Sequence, residues 1–310
     1  MKIFVAGATG VIGRRLIPLL VDAGGDVTAV ARSPAKAAQL KKQGAKPVTV
    51  DLFDPAAVEE AVLGHQTVIN IATRIPSGMK VMLPGAFDEN IRIRREASQN
   101  LASGAIAARA QRFIQESFAP AYPDCGSEWI DESVEIRPAT YIESVRDAES
   151  AADEFTKSGG AGVVLRFSLF YGPDSSLTQD IVRAMKTGIA PFFGGPEAYM
   201  SSIWTDDAAA AVFAALKVPP GVYNVTDDEP MRRGEAFELL AAALDARPPR
   251  VLPRWLTMIT GSLGDTLGRS LRLSNAKFRQ ASGWTPTVPS VRTGWKVLVS
   301  EMKSAGLMPA

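Results

Sequence analysis

Residues 2–13 read KIFVAGATGVIG: a short β-rich run from Lys2 to Ala6, then glycines at 7, 10 and 13. The next stretch, RRLIPLLVDAG (14–24), carries apolar residues at helical spacing and stops on a glycine, so the text spells strand, tight turn, helix. Gly7 lets the strand turn sharply, Gly10 leaves room for the backbone to approach a pyrophosphate, and Gly13 lets the helix pack closely on a sheet. Together with Thr9, Val11 and Ile12 they form a loop at a helix N-terminus, where unpaired N–H groups and the helix dipole favour an anion. The glycine spacing is informative because the strand before it and the helix after it are both present.

Working outward, the same alternation repeats. VTAVAR (27–32), KPVTVDL (46–52), TVINIA (67–72) and RFIQES (112–117) read as strands; PAKAAQLKKQG (34–44), PAAVEEAVLG (55–64) and the Arg- and Ala-rich stretch from about 87 to 110 read as the helices between them. Strands joined through helices imply right-handed crossovers and a parallel sheet covered on both faces, an α/β Rossmann-type doubly wound fold. The second half is less regular. A helix begun near Tyr141 ends in SAADEFTKSG (150–159), GVVLRFSLFYGP (162–173) supplies a strand, residues 174–200 are rich in Gly and Pro, and VYNVTD (222–227) reads as a late strand. Residues 231–246, 252–267 and 292–302 are helical candidates, and the final EMKSAGLMPA reads as a helix fraying into a disordered tail. The expected organisation is a dinucleotide-binding domain over 1–173, with 201–229 returning to it, and a smaller, mostly helical C-terminal lobe built from 174–200 and 230–310.

Composition removes several classes. The 310 residues hold 34 Lys+Arg against 33 Asp+Glu, one His and one Cys. That inventory cannot build a His/Cys zinc or iron–sulfur site or an intrachain disulfide, so no metal is expected and Cys125 reads as a free thiol. A net charge of +1 gives no global attraction to nucleic acid or an anionic membrane. No run approaches the ~18 apolar residues needed to span a bilayer, and no targeting signal is evident, so the expectation is a cytoplasmic monomer or homodimer with a small-molecule substrate.

The end of the second strand offers Arg32, then Ser33 and Lys36, where an acid would accept bonds from a free adenosine ribose. A carboxylate repels a 2′-phosphate, whereas a guanidinium bonds it with a charged fork, so NADP(H) is expected over NAD(H), which stays open as the alternative. Asp51 and Leu52, ending the third strand, lie where an adenine would be flanked; Ala72 and Thr73, ending the fourth, could line the ribose and nicotinamide.

GATGVIG (7–13), LRFSLFYGP (165–173) and SIWTDDAAAAV (202–212) resemble corresponding segments of the short-chain dehydrogenase/reductase superfamily, in its extended or atypical branch of NAD(P)-dependent epimerase/dehydratase-like proteins. The resemblance covers most of the chain. It implies a Ser or Thr that positions the substrate oxygen, a Tyr that passes a proton, and a Lys four residues later that lowers the Tyr pKa. In this sequence Tyr141 falls where that Tyr is expected, and Val145 stands in the Lys position, with Arg146 one residue late. Phe118 falls where the Ser is expected, next to Ser117. Glu132, in WIDESVEI, follows at the rim, and Arg94 occupies a position where related proteins often carry a bracing Asn. His65 reads as a surface residue, and Asp206 and Asp207 as helix caps. The catalytic candidates are therefore Tyr141, Ser117 and Glu132, and Tyr171, Phe192, Phe193, Trp204 and Trp255 could shape a substrate pocket. The expected function is an NADPH-dependent oxidoreductase of a small or medium-sized carbonyl or alcohol compound. Two alternatives remain: an NAD(P)-binding sensor without turnover, and a sugar-nucleotide-like epimerase or dehydratase.

Overall fold

A computed structural model of the chain describes residues 1–76, 78–188, 194–249 and 261–309. Its centre is β1 (Lys2–Ala6), paired in parallel with β2 (Asp26–Val30) on one side and β4 (Thr67–Asn70) on the other. With β3 (Lys46–Val48), β5 (Arg112–Phe118), β7 (Ala161–Phe167) and β11 (Gly221–Val225), the sheet runs β11-β7-β5-β4-β1-β2-β3, every pair parallel. The short strands β6 (Trp129–Ile130), β8 (Leu169–Tyr171), β9 (Tyr199–Met200) and β10 (Ser202–Trp204) lie outside it in two-stranded pairs. The order reverses at β1, which opens a crevice at the carboxyl ends of β1 and β4.

Successive strand residues point to opposite faces, and both faces are buried, which is why these strands read as nearly unbroken apolar runs. Ile3, Val5, Ile114 and Leu165 join Leu16 and Ile17 of α1 (Gly13–Asp22) and Val212 of α8 (Thr205–Ala214) in one core. Phe4, Ala6, Val68 and Phe113 point the other way, to Val58 of α3 (Pro55–Val62), Leu101 of α5 (Ser98–Ala107) and Phe155 of α6 (Val145–Lys157).

Several boundaries differ from the sequence reading. β3 stops at Val48, before Asp51, whose side chain accepts a bond from Phe53 N, and Asp54, which caps α3. β4 stops at Asn70, whose Oδ1 takes the N–H of Ala72 and turns the chain. The helix expected over 87–110 is α4 (Asp88–Arg92), a π-helical turn (Ile93–Ala97) and α5. Near the expected catalytic helix, Tyr141 belongs to a separate 3-10 turn, Thr140–Ile142, and α6 begins only at Val145.

The smaller lobe has its own core. Val182 and Met185 of α7 (Ser176–Lys186), Phe237 and Leu240 of α9 (Arg233–Ala243), and Trp295, Leu298 and Met302 of the helix Val291–Ser304 pack together around Met231. Trp295 Nε1 donates to the Ala236 carbonyl at 2.8 Å. Gly294 is required here, because a Cβ would lie 2.2 Å from the Tyr171 hydroxyl oxygen. The division expected at 230 is not clean: Phe278, on the helix Ala276–Ser282, and Trp284 join the sheet core and stack beside Tyr223 of β11. The chain end also packs, with Met308 on the lobe core and Lys186 Nζ donating to the Pro309 carbonyl, in place of the expected disordered tail. Among the described residues no helix is long and apolar enough to cross a membrane.

Candidate active site

At the glycine loop, Gly7 adopts φ +86°, and a Cβ there would sit 2.5 Å from the Ile71 carbonyl carbon. A Cβ on Gly13 would lie 2.3 Å from the Gly7 oxygen, so these two glycines close the strand–helix turn; Gly10 meets only the Gly7 oxygen, at 3.3 Å, and faces open space. Thr9 and Val11 are half-buried and Ile12 is buried beneath them. No side chain caps α1, whose N-cap position is Ile12. An uncapped helix N-terminus behind an open glycine is an arrangement that fits a pyrophosphate.

Along the adenosine side, Arg32 follows β2 with its side chain 67% exposed and its Nη1 3.5 Å from Glu89 Oε1. Ser33 caps α2 (Pro34–Lys42) by accepting the N–H of Lys36, and the Lys36 side chain is exposed. Asp51 holds its own turn, and the Leu52 carbonyl accepts a bond from Asn100 Nδ2 at 2.9 Å, fixing that loop to α5. Ala72 and Thr73 leave β4 half-buried, and Arg74 N donates to the buried Asn90 Oδ1 at 2.9 Å.

The catalytic candidates are not gathered in one place. Ser117 is fully buried and donates to Glu149 Oε1 at 2.6 Å; Glu149 in turn binds Arg166 through both oxygens, Nε at 2.8 Å and Nη2 at 2.7 Å. Arg166 Nη1 donates to the Tyr122 hydroxyl, which donates to Asn224 Oδ1. Burial pushes the Tyr122 phenol up to about 12, against the pull of Arg166. Burial also opposes the charge on Arg166, but the bonds and charge of Glu149 outweigh it and hold the guanidinium above its usual range. Ser117 is thus bound into a structural network, and an extended strand makes that the consequence of its position one residue before Phe118. Glu132 is likewise committed: its Oε1 accepts the backbone N–H of Asn224 in β11 at 2.6 Å.

Val145, at the position where the resemblance implies a Lys, has a fully buried side chain among Ala121, Tyr122, Ile130, Ile136 and Leu273. Arg146 turns away to the Ile136 carbonyl, 2.8 Å from Nη2, and so offers no substitute. Tyr141 stacks on Phe87 with ring centroids 4.8 Å apart. Burial raises its phenol above the ordinary value, while the Thr266 hydroxyl and the charges of Arg269 and Arg94 pull it partly back.

Arg94 is the polar group that the candidate catalytic residues omit. The π turn carries it inward, 1% exposed, where Nη2 donates to Glu116 Oε1 at 2.8 Å and the guanidinium lies 5.8 Å from the Phe118 ring centre. Its Nε and Nη1, and Glu116 Oε2, are buried without hydrogen-bond partners. Such orphaned atoms in a low-dielectric pocket are where an ordered water or a ligand atom belongs. Glu116 had no sequence signal beyond its place near a strand end. Arg269 fixes the lobe to the loop after β5 by donating to the carbonyls of Tyr122 and Arg137, both at 2.9 Å.

Beside Tyr141 opens a cavity of about 370 Å³, walled by Val81, Leu83, Phe87, Ile91 and Leu263; Asp88 is the one charged group among its described lining residues. Tyr171 and Trp204, expected to shape a pocket, are instead core residues that meet edge-to-face with ring centroids 5.3 Å apart. Phe192, Phe193 and Trp255 lie outside the described residues. His65, expected at the surface, is half-buried between the Val62 carbonyl and Thr28. Asp207 accepts from Thr287 N and Val288 N, and Asp206 pairs with Arg15.

A family model described as NAD(P)H-binding matches residues 7–219. The chain belongs to this NAD(P)H-binding family. The glycine loop found here suits the NAD(P)H that this family binds. It is 32% identical over 305 residues to a 3-diazoavenalumate denitrifying reductase of a Streptomyces species, covering 95% of this chain and 99% of that protein. It is 26% identical over 293 residues to a 2-alkyl-3-oxoalkanoate reductase of Shewanella oneidensis, covering 88% and 73%. Among solved structures, UDP-glucose 4-epimerase of Thermotoga maritima shares the fold with a TM-score of 0.81 at 20% identity, over 98% of this chain and 99% of that one. The human epimerase family protein SDR39U1, solved with NADPH, gives 0.79 at 18% identity, over 97% and 99%.

Proposed function

We propose that this NAD(P)H-binding protein is a reductase that delivers hydride to an apolar electrophile carrying no nucleotide. The observation that carries the reading is the cavity beside Tyr141: aliphatic and aromatic side chains share its walls with the uncharged hydroxyls of Thr140, Tyr141 and Ser262, and Asp88 is the one charge among its described lining residues. A diphosphate needs cations there. Of the two arginines whose charge reaches Tyr141, Arg269 donates to backbone carbonyls and Arg94 is ion-paired with Glu116. Bound dinucleotide supplies the hydride. Tyr141, with its phenol held above its ordinary pKa, keeps its proton at neutral pH and serves as a donor to the reduced substrate. The roles first expected for Ser117 and Glu132 pass to Tyr141 alone, because both side chains are bound elsewhere.

The loss of the Lys supports the direction. Oxidising an alcohol requires a base to take its proton, and a buried Val145 gives Tyr141 no ammonium to make it one. Reduction of an electron-poor centre carries no such demand. The names of the Streptomyces and Shewanella relatives, a denitrifying reductase of a diazo compound and a reductase of an oxoalkanoate, are consistent with that chemistry. NADPH is the favoured cofactor on the strength of Arg32, with NADH the alternative.

A second reading, nucleotide-sugar epimerisation, draws on the fold shared with UDP-glucose 4-epimerase. One experiment separates the readings. The protein is saturated with NADPH or NADH, and consumption of the reduced cofactor is followed across diazo, β-keto and simple aromatic carbonyl compounds, with UDP-glucose and NAD assayed in parallel. Consumption with the apolar compounds supports the reductase. Isomerisation of UDP-glucose establishes the epimerase, and tight cofactor binding without turnover of any compound establishes a sensor.

A further inference from the structure

In the sheet β1 is flanked by β2 and β4, so the residues leaving those two strands stand on either side of the glycine loop. Arg32 comes from one side and Arg74 from the other. Both reach a single carboxylate: Arg32 Nη1 lies 3.5 Å from Glu89 Oε1, and Arg74 Nε lies 3.5 Å from Glu89 Oε2. Glu89 is the second residue of α4, and that same turn fixes the Arg74 backbone, since Arg74 N donates to Oδ1 of Asn90 at 2.9 Å and Asn90 is 1% exposed. The meeting of the two arginines is therefore built into the backbone, while the three side chains, 67%, 58% and 47% exposed, remain free to change partner. Ion pairs this long and this exposed are worth little, so exchanging their anion costs little.

We propose that Arg74 joins Arg32 as a ligand of the cofactor's 2′-phosphate, and that Glu89 is a resident competitor which that phosphate displaces. The proposal rests on the reading of Arg32 as a 2′-phosphate contact. Two guanidinium groups match a phosphate monoester of charge near −2 better than they match one carboxylate, and they can bond it through forked, charge-assisted contacts. A ribose hydroxyl carries no charge and leaves the Arg32–Glu89–Arg74 bridge in place. The bridge thus tempers the contrast that the two arginines give between the cofactors: a dianion must displace it to bind, whereas a neutral hydroxyl leaves it in place. Once displaced, the Glu89 side chain swings into solvent, where like-charge repulsion from the phosphate is screened.

The test is calorimetric titration of the whole chain with NADPH, NADH, 2′,5′-ADP and 5′-AMP, which reads binding and not turnover. Arg74→Ala is expected to weaken NADPH and 2′,5′-ADP about tenfold, the loss of one charged hydrogen bond, and to leave NADH and 5′-AMP within about twofold. Glu89→Gln is expected to tighten NADPH several-fold with NADH unchanged. Equal effects of Arg74→Ala on both cofactors, or weaker NADPH binding by Glu89→Gln, overturn the proposal. Arg32→Ala distinguishes the two levels. If it weakens NADPH selectively while Arg74→Ala does not, only the role of Arg74 and Glu89 falls; if it weakens both cofactors equally, the reading of Arg32 falls and the proposal with it.

Discussion

At the scale of single residues, the proposed chemistry turns on Val145 and Tyr141. The Val145 site is fully buried and apolar, and Glu149, one turn on along α6, is already bonded to Ser117 and Arg166, so Val145→Lys, which puts in the lysine that the resemblance implies, buries an ammonium beside a carboxylate already committed to other partners. An unpaired buried charge costs several kcal/mol. The variant is expected to lose about 3 kcal/mol or more in urea unfolding and to gain no activity; wild-type stability with faster turnover would show that the site accepts the cation after all. Tyr141 carries the complementary expectation. Its phenol is held above its ordinary pKa by burial, so it is protonated below that range and ionises only as pH climbs through the raised value. A donor of this kind gives a rate that is flat from neutral pH upward and falls at the alkaline end, whereas a base would give a rate that climbs with pH. Tyr141→Phe should lower kcat about a hundredfold, the usual worth of a positioned proton donor. An unchanged kcat removes the assignment.

At the scale of elements, β5 shows why one residue of register matters. Ser117 turns to Glu149 on α6, while its neighbours Glu116 and Phe118 both meet Arg94 on the π turn. The buried Glu149–Arg166 pair, with side chains 13% and 8% exposed, is then expected to be structural. Glu149→Ala strands the Arg166 charge and should cost about 3–5 kcal/mol in chemical denaturation. Ser117→Ala removes one neutral donor to a carboxylate, should cost about 1–3 kcal/mol, and should leave turnover per folded molecule intact; a loss of kcat without loss of stability would return Ser117 to the reaction. The same elements show what the sequence makes legible. The β1–α1 turn and the order of strands and helices are local signals, carried by glycine spacing and by period-2 and period-3.6 burial. Strand ends are less legible, because the side-chain bonds of Asp51 and Asn70 that shape the turns after β3 and β4 leave no mark on hydrophobic periodicity. The π turn and the Arg94–Glu116 and Arg166–Glu149 pairs depend on residues far apart in the chain, so no spacing rule announces them. Arg74 and Glu89 stayed hidden for the same reason, as each is an ordinary exposed charge until the fold sets it opposite Arg32.

Across the whole molecule, polar ties join the nucleotide-binding domain to the smaller lobe, and their placement makes stability depend on pH. Arg15 of α1, just behind the glycine loop, binds Asp174 at 3.1 Å and Asp206 at 3.0 Å, coupling the loop helix to the segment that leads into the lobe and to the start of α8. Asp227 lies where the chain leaves β11 for the lobe; it is 2% exposed, and its Oδ1 has no hydrogen-bond partner. Burial holds its carboxyl well above the usual range, and the neighbouring Asp228 adds repulsion, which outweighs the bonds from Ser202 and Thr226. In the unfolded chain this group ionises near pH 4, as an ordinary Asp does. Between that point and its raised folded value the native state holds one more proton than the unfolded state, so stability falls as pH rises across the interval. Asp227→Asn keeps the shape and removes the titration. It is therefore expected to raise Tm by a few degrees at pH 8, with the gain shrinking as pH approaches 4 and wild-type Asp227 becomes neutral in both states. A variant less stable than wild type at pH 8 would mean that the native fold holds Asp227 as a carboxylate, using a partner for Oδ1 that binds at the junction between the two lobes.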